Sequence, residues 1–319
     1  LEQDRTVGAE EAAVSAIGDL PDSAPEGFRS GVIALVGQPN VGKSTLLNAL
    51  VGEKVAIVSP KPQTTRRQVL GIATTEDAQM VFVDTPGLHT PEHDLGRYMV
   101  KVAQAAVPAA DLAVWVVDVS RTPDDADRRI ARTLHQAGRP LILAMNKTDR
   151  LPPERIRELT EAWLALAEPA EWVMTIANKG HNLELLRSAM LDRLPEGPLL
   201  YPDDQLSDQS PRMLACELVR EAALYHLQQE IPHGIEVIIE DWIEREDGLI
   251  NVAAKIFVER SGHKAIVIGK GGIMLKRIGT SARREMERLL EQRIFLELFV
   301  SVRPGWRRDP SDLRRLGFD

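Results

Sequence analysis

The sequence predicts two joined units: an α/β domain built on a mostly parallel sheet with helices on both faces, then a smaller α+β domain. Three observations carry this. Between residues 29 and 195, short apolar runs alternate with helix-forming segments, the pattern of parallel strands joined through helices. The stretch Gly37-Gln38-Pro39-Asn40-Val41-Gly42-Lys43-Ser44 sits between one such run and one such helix. Past a polar stretch at 196–210, with Pro, Gly and acidic residues but no apolar period, a helix–strand pattern of different order begins at 211. A length of 319 residues also suits about two domains.

Composition narrows the function classes. The chain is 44% hydrophobic and 27% charged, as expected of an ordinary soluble protein. It has no run of about 18 apolar residues, which excludes a spanning helix. Its start lacks the basic–apolar–small pattern of an export signal, so a cytoplasmic protein is expected. A single cysteine, Cys216, excludes an internal disulfide and a multi-cysteine metal site, and its apolar helical surroundings make it a small buried side chain. Residues 211–319 carry 18 basic and 17 acidic side chains, a balance of +1, so the first 210 residues carry −9 against the chain's net charge of −8. That asymmetry suggests different partners for the two units.

Taken in order, residues 1–28 form an acidic stretch with one basic residue, Arg5, and read as a mobile tail. Residues 29–195 hold strand candidates at 32–36, 69–74, 80–83, 113–117, 141–145 and 172–176, each a short apolar run. Helices are expected at 43–51, 97–106, 124–136, 153–167 and 183–194. Loops at the C-terminal ends of such strands are where a ligand site forms.

The first of these loops fits G-x-x-x-x-G-K-[ST]. Glycines let the backbone curl so that successive N–H groups face phosphate oxygens, and the helix N-terminus adds positive dipole. Gly37, Asn40, Val41, Gly42, Lys43, Ser44 and Thr45 are the candidate phosphate cradle, with Lys43 reaching the outer phosphates and the Ser44 hydroxyl a magnesium ligand. Asp84-Thr85-Pro86-Gly87 follows the apolar run 80–83. An aspartate there holds magnesium, usually through water, and the Gly87 amide senses a third phosphate. Asn146-Lys147-Thr148-Asp149 closes the run 141–145. The Asp149 carboxylate accepts two hydrogen bonds from the N1–H and exocyclic amine of guanine, whereas adenine presents an acceptor at N1 and leaves the carboxylate unpaired. The Lys147 stem covers the base and Asn146 ties this loop to the phosphate loop. Each motif alone is weak. The ordered trio, each after a strand, implies a P-loop GTPase domain with GTP or GDP and Mg2+ as its ligands.

The second unit, 211–319, reads helix, strand, strand, helix, GxxG, helix, strand. The first helix is expected over 211–229, with Leu214, Leu218, Ala222 and Tyr225 on one face. Strands are expected at 235–243 and 249–258 around the turn Glu246-Asp247-Gly248, helices at 264–268 and 273–291, and a strand at 294–302. This is the order of a KH domain of the prokaryotic type. A GxxG turn brings open backbone and a helix N-terminus to nucleic-acid phosphates. Lys264 to Arg288 hold seven basic residues against two acidic, enough to make single-stranded RNA the expected ligand rather than a plain turn. The candidate RNA contacts are Lys264, Ile268, Gly269, Lys270, Gly271, Gly272, Lys276, Arg277 and Arg283, with Ile266, Ile268, Ile273 and Ile278 as an apolar floor for unstacked bases.

The trio, Pro39-Asn40 inside the first loop, Gln63-Thr64-Thr65-Arg66-Arg67 between the first two motifs, and the stretches Glu217-Leu218-Val219-Arg220-Glu221, Ile268-Gly269-Lys270-Gly271-Gly272 and Leu275-Lys276-Arg277-Ile278-Gly279 resemble the Era family of GTPases over residues 30–308. The resemblance implies a GTPase that binds single-stranded RNA near the 3′ end of the small-subunit rRNA and acts in maturation of the small ribosomal subunit; a monomer is expected, although no residue fixes the oligomeric state. It also implies peripheral association with the inner face of the cell membrane, for which the residues offer no lipidation motif or long basic amphipathic helix. By the same resemblance Thr65, not Thr64, is the magnesium-binding switch residue, and residues 58–68 and 87–97 are the switches. Asn40 has two readings of equal standing: it helps to hold a potassium ion that supplies charge in catalysis, or it shapes the loop. Lys43, Thr65, Gly87 and Asn40 are therefore the catalytic candidates.

Two positions depart from the pattern. Leu88 stands where Ras-type GTPases place a water-orienting glutamine, so unaided hydrolysis is expected to be slow. His89 is a neighbouring candidate for positioning water, although a lone loop histidine is more often a bystander. In the loop expected to read guanine O6, Ile176 replaces the family's serine, which leaves backbone N–H groups of Ala177 and Asn178 for that work. The competing class is an RNA-binding chaperone module whose nucleotide site is regulatory with negligible turnover. Leu88 favours it; Thr65, Asp84 and the complete phosphate loop oppose it.

Overall fold

The computed structural model describes residues 25–61, 63–88, 91–228 and 231–318. His89 and residues 1–24 of the acidic stretch lie outside the described residues. Among the described residues no helix is long and apolar enough to cross a membrane.

The first unit runs β1 (Arg29–Val36), α1 (Lys43–Val51), β2 (Val69–Thr74), β3 (Ala78–Asp84), α2 (Asp94–Ala109), β4 (Leu112–Asp118), α3 (Asp125–Ala137), β5 (Leu141–Asn146), α4 (Ile156–Ala167), β6 (Glu171–Met174) and α5 (Leu183–Leu191). The sheet order is β2-β3-β1-β4-β5-β6. β2 pairs antiparallel with β3 and every other pairing is parallel. The alternation of the strands divides their side chains between two cores. Ile33 and Leu35 meet Leu46, Leu47 and Leu50 of α1 and Leu186 and Met190 of α5. Ala34, Val36, Trp115 and Val117 meet Ala103, Val107, Ile130, Leu134 and Trp163 on the opposite face. Each fully buried leucine of α1 contributes about 1.5–3 kcal/mol, so this helix, whose first residues close the phosphate loop, is firmly seated. α3 begins with a reciprocal capping box between Asp124 and Asp127 and ends at left-handed Gly138.

The register brings the site together. Leu35 lies level with Asp84, and Asp118 with Asn146, so the loops after β1, β3, β4 and β5 leave the sheet along one edge.

The polar stretch after α5 is laid along the outer strand. Ile72 N–H donates to the Leu206 carbonyl at 2.9 Å, the Ser207 hydroxyl donates to the Leu70 carbonyl at 2.8 Å, and Gln79 Oε1 accepts from the N–H groups of Leu200 and Tyr201 at 2.7 and 2.9 Å. It thus covers an otherwise open sheet edge. Phe28, at the end of the acidic stretch, is already buried, and its carbonyl accepts from Gly197 N–H at 3.0 Å.

The second unit runs α6 (Pro211–His226), β7 (Glu236–Glu244), β8 (Leu249–Val258), α7 (Ser261–Ile268), α8 (Ile273–Leu290), β9 (Arg293–Val302) and α9 (Pro310–Arg315). β8 is central, antiparallel to β7 and parallel to β9. Leu218, Ala222, Ile278, Ala282 and Met286 from α6 and α8 form one core with Val252, Ala254 and Ile256 of β8. Cys216 packs beside it, and burial pushes its thiol up to about 12. α9 has no counterpart in the sequence reading. With Trp306 and Phe318 it packs on Leu95 and Met99 of α2 in the first unit, and Tyr98 meets Phe318 edge-on at 5.5 Å.

Candidate functional site

A cavity of about 340 Å³ opens at the sheet edge where those loops converge. Of the residues expected to bind nucleotide, Asn40, Gly42, Lys43, Ser44, Thr45, Thr65, Gly87, Asn146, Lys147, Asp149, Ala177 and Asn178 line it. Gly37, Val41 and Asp84 stand behind the wall. The Gly37 carbonyl accepts from Lys43 Nζ at 3.2 Å, the Val41 carbonyl accepts from Asn146 Nδ2 at 2.8 Å, and the Val41 side chain enters the core. Gly42 has φ 108°, and a Cβ there would meet Asn146 Nδ2 at 2.2 Å, so only glycine admits this contact between the two loops. Asn146 also accepts, through Oδ1, from Ala177 N–H at 3.0 Å. One side chain therefore fastens the phosphate loop, the Asn146 loop and the loop at 175–178. The Ala177 N–H, one of the two amides expected to read guanine O6, is thus already engaged by Asn146.

Lys147 adopts φ 63°, which turns its side chain back over the loop: Nζ donates to the Asn40 carbonyl at 2.6 Å and to Asp118 Oδ2 at 2.8 Å. Burial alone would raise the Asp118 carboxyl, but the hydrogen bonds from Lys147 and Ser120 outweigh it and hold it below the ordinary range. Asp118 was missed in the sequence, where a charged residue ending the apolar run 113–117 was the available signal. Asp149 pairs with Lys179 at 3.2 Å.

Deeper in the site, Ser44 Oγ donates to Asp84 Oδ2 at 2.6 Å and lies 2.9 Å from Thr65 Oγ1, which is itself 3.3 Å from Asp84 Oδ2. Asp84 is fully buried, its Oδ1 has no hydrogen-bond partner, and burial pushes its pKa up. Three clustered oxygens with one orphaned carboxylate atom fit a small hard cation such as magnesium. Thr64 turns away: its hydroxyl donates to the Lys61 carbonyl at 2.6 Å. Burial pulls Lys43 down to about 8 against the attraction of Asp84, and its ammonium is held by the Gly37 and Gln38 carbonyls. Leu88 is only 8% exposed and packs into the core with Ala103 and Val107, so its side chain does not reach the cavity. Asn40 has φ 62°, and its Nδ2 donates to the Pro60 carbonyl at 3.0 Å, which ties the phosphate loop to the loop at 58–68. Ile57, Val58, Ser59, Pro60 and Gln63 of that region complete the cavity wall.

That same loop reaches into the second unit. Arg66 is buried, with Nη1 on Glu236 Oε2 at 2.7 Å and on the Ile235 carbonyl, and Nη2 on the His233 carbonyl at 3.0 Å. Arg67 donates to the Leu316 carbonyl and stacks over the Phe318 ring at 4.1 Å. Burial draws the Arg66 guanidinium down to about 10, against Glu236. Burial alone would raise Glu236, but Arg67, Arg66 and Arg220 around it hold its carboxyl below the ordinary range. Arg66, Arg67 and Arg220 carry no periodic signal that marks them as interface residues.

In the second unit, a groove of about 360 Å³ lies between α8 and β9, lined by Gly272, Leu275, Lys276, Gly279, Thr280, Arg283, Leu296 and Leu298. Gly272, Lys276 and Arg283 of the expected RNA contacts share it. Lys270, Gly271 and Arg277 are exposed nearby, and Gly269, Ile268 and Lys264 are half-buried before the turn. The expected apolar floor needs correction. Ile278 is fully buried in the core, because position 278 falls on the inner face of α8, and Leu275, Leu296 and Leu298 floor the groove instead. A Cβ at Gly279 would approach Leu298 Cδ1 at 3.2 Å, so glycine leaves that side chain of the groove floor undisturbed.

Comparison with known proteins agrees with both halves. Residues 32–147 match the family model of the 50S ribosome-binding GTPases, and residues 230–307 match that of the KH domain. The GTPase Era of Ruminiclostridium cellulolyticum is 42% identical over 291 residues, covering 91% of this chain and 98% of that protein. The GTPase Era of Deinococcus deserti is 45% identical, covering 91% and 95%. A crystal structure of Aquifex aeolicus Era bound to GDP·AlF4− superposes with a TM-score of 0.88 at 38% identity, covering 91% of this chain and 99% of that one. A crystal structure of Era in complex with MgGDPNP and nucleotides 1506–1542 of 16S ribosomal RNA gives the same TM-score, identity and coverage. With a P-loop nucleotide cavity, a KH groove and this similarity along nearly its whole length, the chain belongs to the Era family of GTPases.

Proposed function

We propose that this GTPase is a switch which, in its GTP state, binds single-stranded rRNA near the 3′ end of the small-subunit rRNA and serves maturation of the small ribosomal subunit. The carrying observation is the loop at 58–68: it walls the nucleotide cavity and, one residue beyond Thr65, is anchored in the unit that bears the GxxG turn. In this reading 29–195 is the nucleotide unit, 196–210 the linker and 211–319 the RNA unit. The relatives in the Era complexes, bound to Mg-nucleotide and to 16S rRNA, support the ligands assigned. The protein acts as a cytoplasmic monomer, with contact to the inner face of the membrane limited to its periphery.

Lys43 and the loop N–H groups hold the phosphates, the Gly87 N–H meets the third phosphate, and Asp149 with Asn178 reads guanine. Ser44, Thr65 and Asp84 hold magnesium, which neutralises charge on the outer phosphates when bound. The RNA phosphates meet the turn at 269–272 with Lys264, Lys276, Arg277 and Arg283 around it. Because Leu88 is in the core, turnover without RNA is slow. The test is GTP hydrolysis with and without an RNA carrying the small-subunit 3′ terminal sequence. Acceleration by that RNA is expected; no acceleration by it, with tight binding of both ligands, would leave a binding module and sink the switch.

Two further outcomes follow from the site. In Thr65→Ala, affinity for a non-hydrolysable GTP analogue with magnesium should fall about tenfold while GDP affinity changes less than about twofold, because the hydroxyl serves only when the third phosphate is present. Equal losses for both nucleotides, measured by fluorescence titration, would remove Thr65 from the switch. If Asn40 holds potassium, turnover in potassium should exceed that in sodium by about tenfold, a small part of what an arginine finger supplies. Asn40→Ala should erase the difference. Identical rates in both salts would leave Asn40 as the residue that ties the phosphate loop to Pro60.

A further inference from the structure

Thr65 is the one member of the proposed magnesium cluster that stands on a loop, rather than at the end of a strand or the start of a helix. Its placement therefore needs a cause. Its hydroxyl sits 2.9 Å from Ser44 Oγ, yet the residue on either side of it is tied to the second unit, one through its carbonyl and one through its side chain. On the near side, Arg220 of α6 donates through Nη2 to the carbonyl of Thr64, the peptide whose nitrogen belongs to Thr65. On the far side, the Arg66 side chain is locked on Glu236. Arg220 is in turn gripped by Glu217, one turn earlier on the same helix, through Nε at 3.2 Å and through Nη2.

Stability is a poor reason for this arrangement. Arg220 is 0% exposed and its Nη1 has no hydrogen-bond partner, so a charged group has been taken out of water with one donor unsatisfied. An apolar side chain of the same reach commonly packs as well or better in such a place. What the guanidinium supplies that methionine does not is a donor of fixed direction at the Thr64 carbonyl.

We propose that Arg220, a residue of the RNA-binding unit, is a positioning residue for GTP hydrolysis: by holding the Thr64 carbonyl it sets the backbone from which the Thr65 hydroxyl meets Ser44 and Asp84. The proposal rests on the reading of Thr65 given above. It touches neither nucleotide nor metal and acts only through the loop. Its signature is a loss confined to the GTP state, since GDP engages the phosphate loop and Asp149 without Thr65.

The test uses the full chain with Arg220→Met, Arg220→Lys, Thr65→Ala and the Arg220→Met/Thr65→Ala double variant. Each is measured for GDP affinity, for magnesium-dependent affinity toward a non-hydrolysable GTP analogue, and for single-turnover hydrolysis at saturating GTP. Arg220→Met should hydrolyse about tenfold more slowly with GDP affinity kept within about twofold. Arg220→Lys should recover part of the rate, because one ammonium can still donate to the Thr64 carbonyl while losing the paired grip of Glu217. The double variant should be no slower than Thr65→Ala alone, the mark of two residues acting through one group. Additive losses, or a folded Arg220→Met that hydrolyses at the parent rate, would overturn the proposal. A parent-like rate in Thr65→Ala would instead overturn the reading of Thr65 itself. Should Arg220→Met not fold, Glu217→Gln takes its place: it keeps the arginine but loosens its grip, and a parent rate there overturns the positioning role equally.

Discussion

Replacing Asp149 with asparagine is expected to weaken GTP binding by about three orders of magnitude in a chain that stays folded. In the proposed reading the carboxylate would accept two hydrogen bonds from guanine, and bonds to a charged group contribute about 1.5–3 kcal/mol each. An amide keeps one acceptor and turns an N–H toward the donors of the base, so one bond is lost and a repulsive contact replaces it. A loss of about 4 kcal/mol corresponds to about a thousandfold in affinity. The fold should be indifferent. Asp149 sits in the short turn Thr148–Arg150, and its partner Lys179 is 60% exposed, so their pair contributes little to stability. The phosphate contacts around Lys43 are untouched. Xanthosine triphosphate, which carries a carbonyl where guanine has its amine, should therefore bind the variant better than GTP does. The measurement is competition against a fluorescent nucleotide. If the variant binds GTP as tightly as the parent, the loop at 146–149 does not read the base.

The second large effect is expected at the other end of the chain. Changing Lys270 and Gly271 together to aspartate should weaken single-stranded RNA binding about a hundredfold or more, since it places two carboxylates where phosphates approach and removes one cation. Lys270 and Gly271 are both exposed, and a Cβ on Gly271 meets nothing within 4 Å. Gly271 has φ 60°, a left-handed conformation that costs aspartate about 1–2 kcal/mol, within what a domain tolerates. GTP affinity of the free protein should barely move, because Lys43, Asp84 and Asp149 lie in the other unit. Acceleration of GTP turnover by RNA should disappear with the binding. Both are measured at one salt concentration, since phosphate contacts weaken steeply with salt. If the RNA still accelerates turnover in the double variant, it acts on the enzyme by a route that bypasses the GxxG turn.

Much of this was legible in the residues themselves. The phosphate loop, the Asp84 and Asn146-to-Asp149 motifs and the GxxG turn are contiguous, and each is read from its own spacing and from the apolar run beside it. The two sheets and the order of their helices follow from apolar periodicity, which is also local. The tertiary structure decided matters that depend on neighbours far along the chain. It turned the Thr65 hydroxyl toward Ser44 and that of Thr64 toward Lys61, a choice that two adjacent identical side chains do not encode. It drew Leu88 and Ile278 into cores and gave the groove floor to Leu275, Leu296 and Leu298. It joined Arg220 to Thr64 and Arg67 to Leu316 across 156 and 249 residues. It also added α9, a helix of six residues too short to show a period, whose seat on α2 comes from Trp306, Leu313 and Phe318 acting together. A period reports which face of an element is apolar. Which distant surface buries that face, and which buried arginine finds its carboxylate there, is settled only when the two units pack and each unpaired charge must find a partner or stay in water.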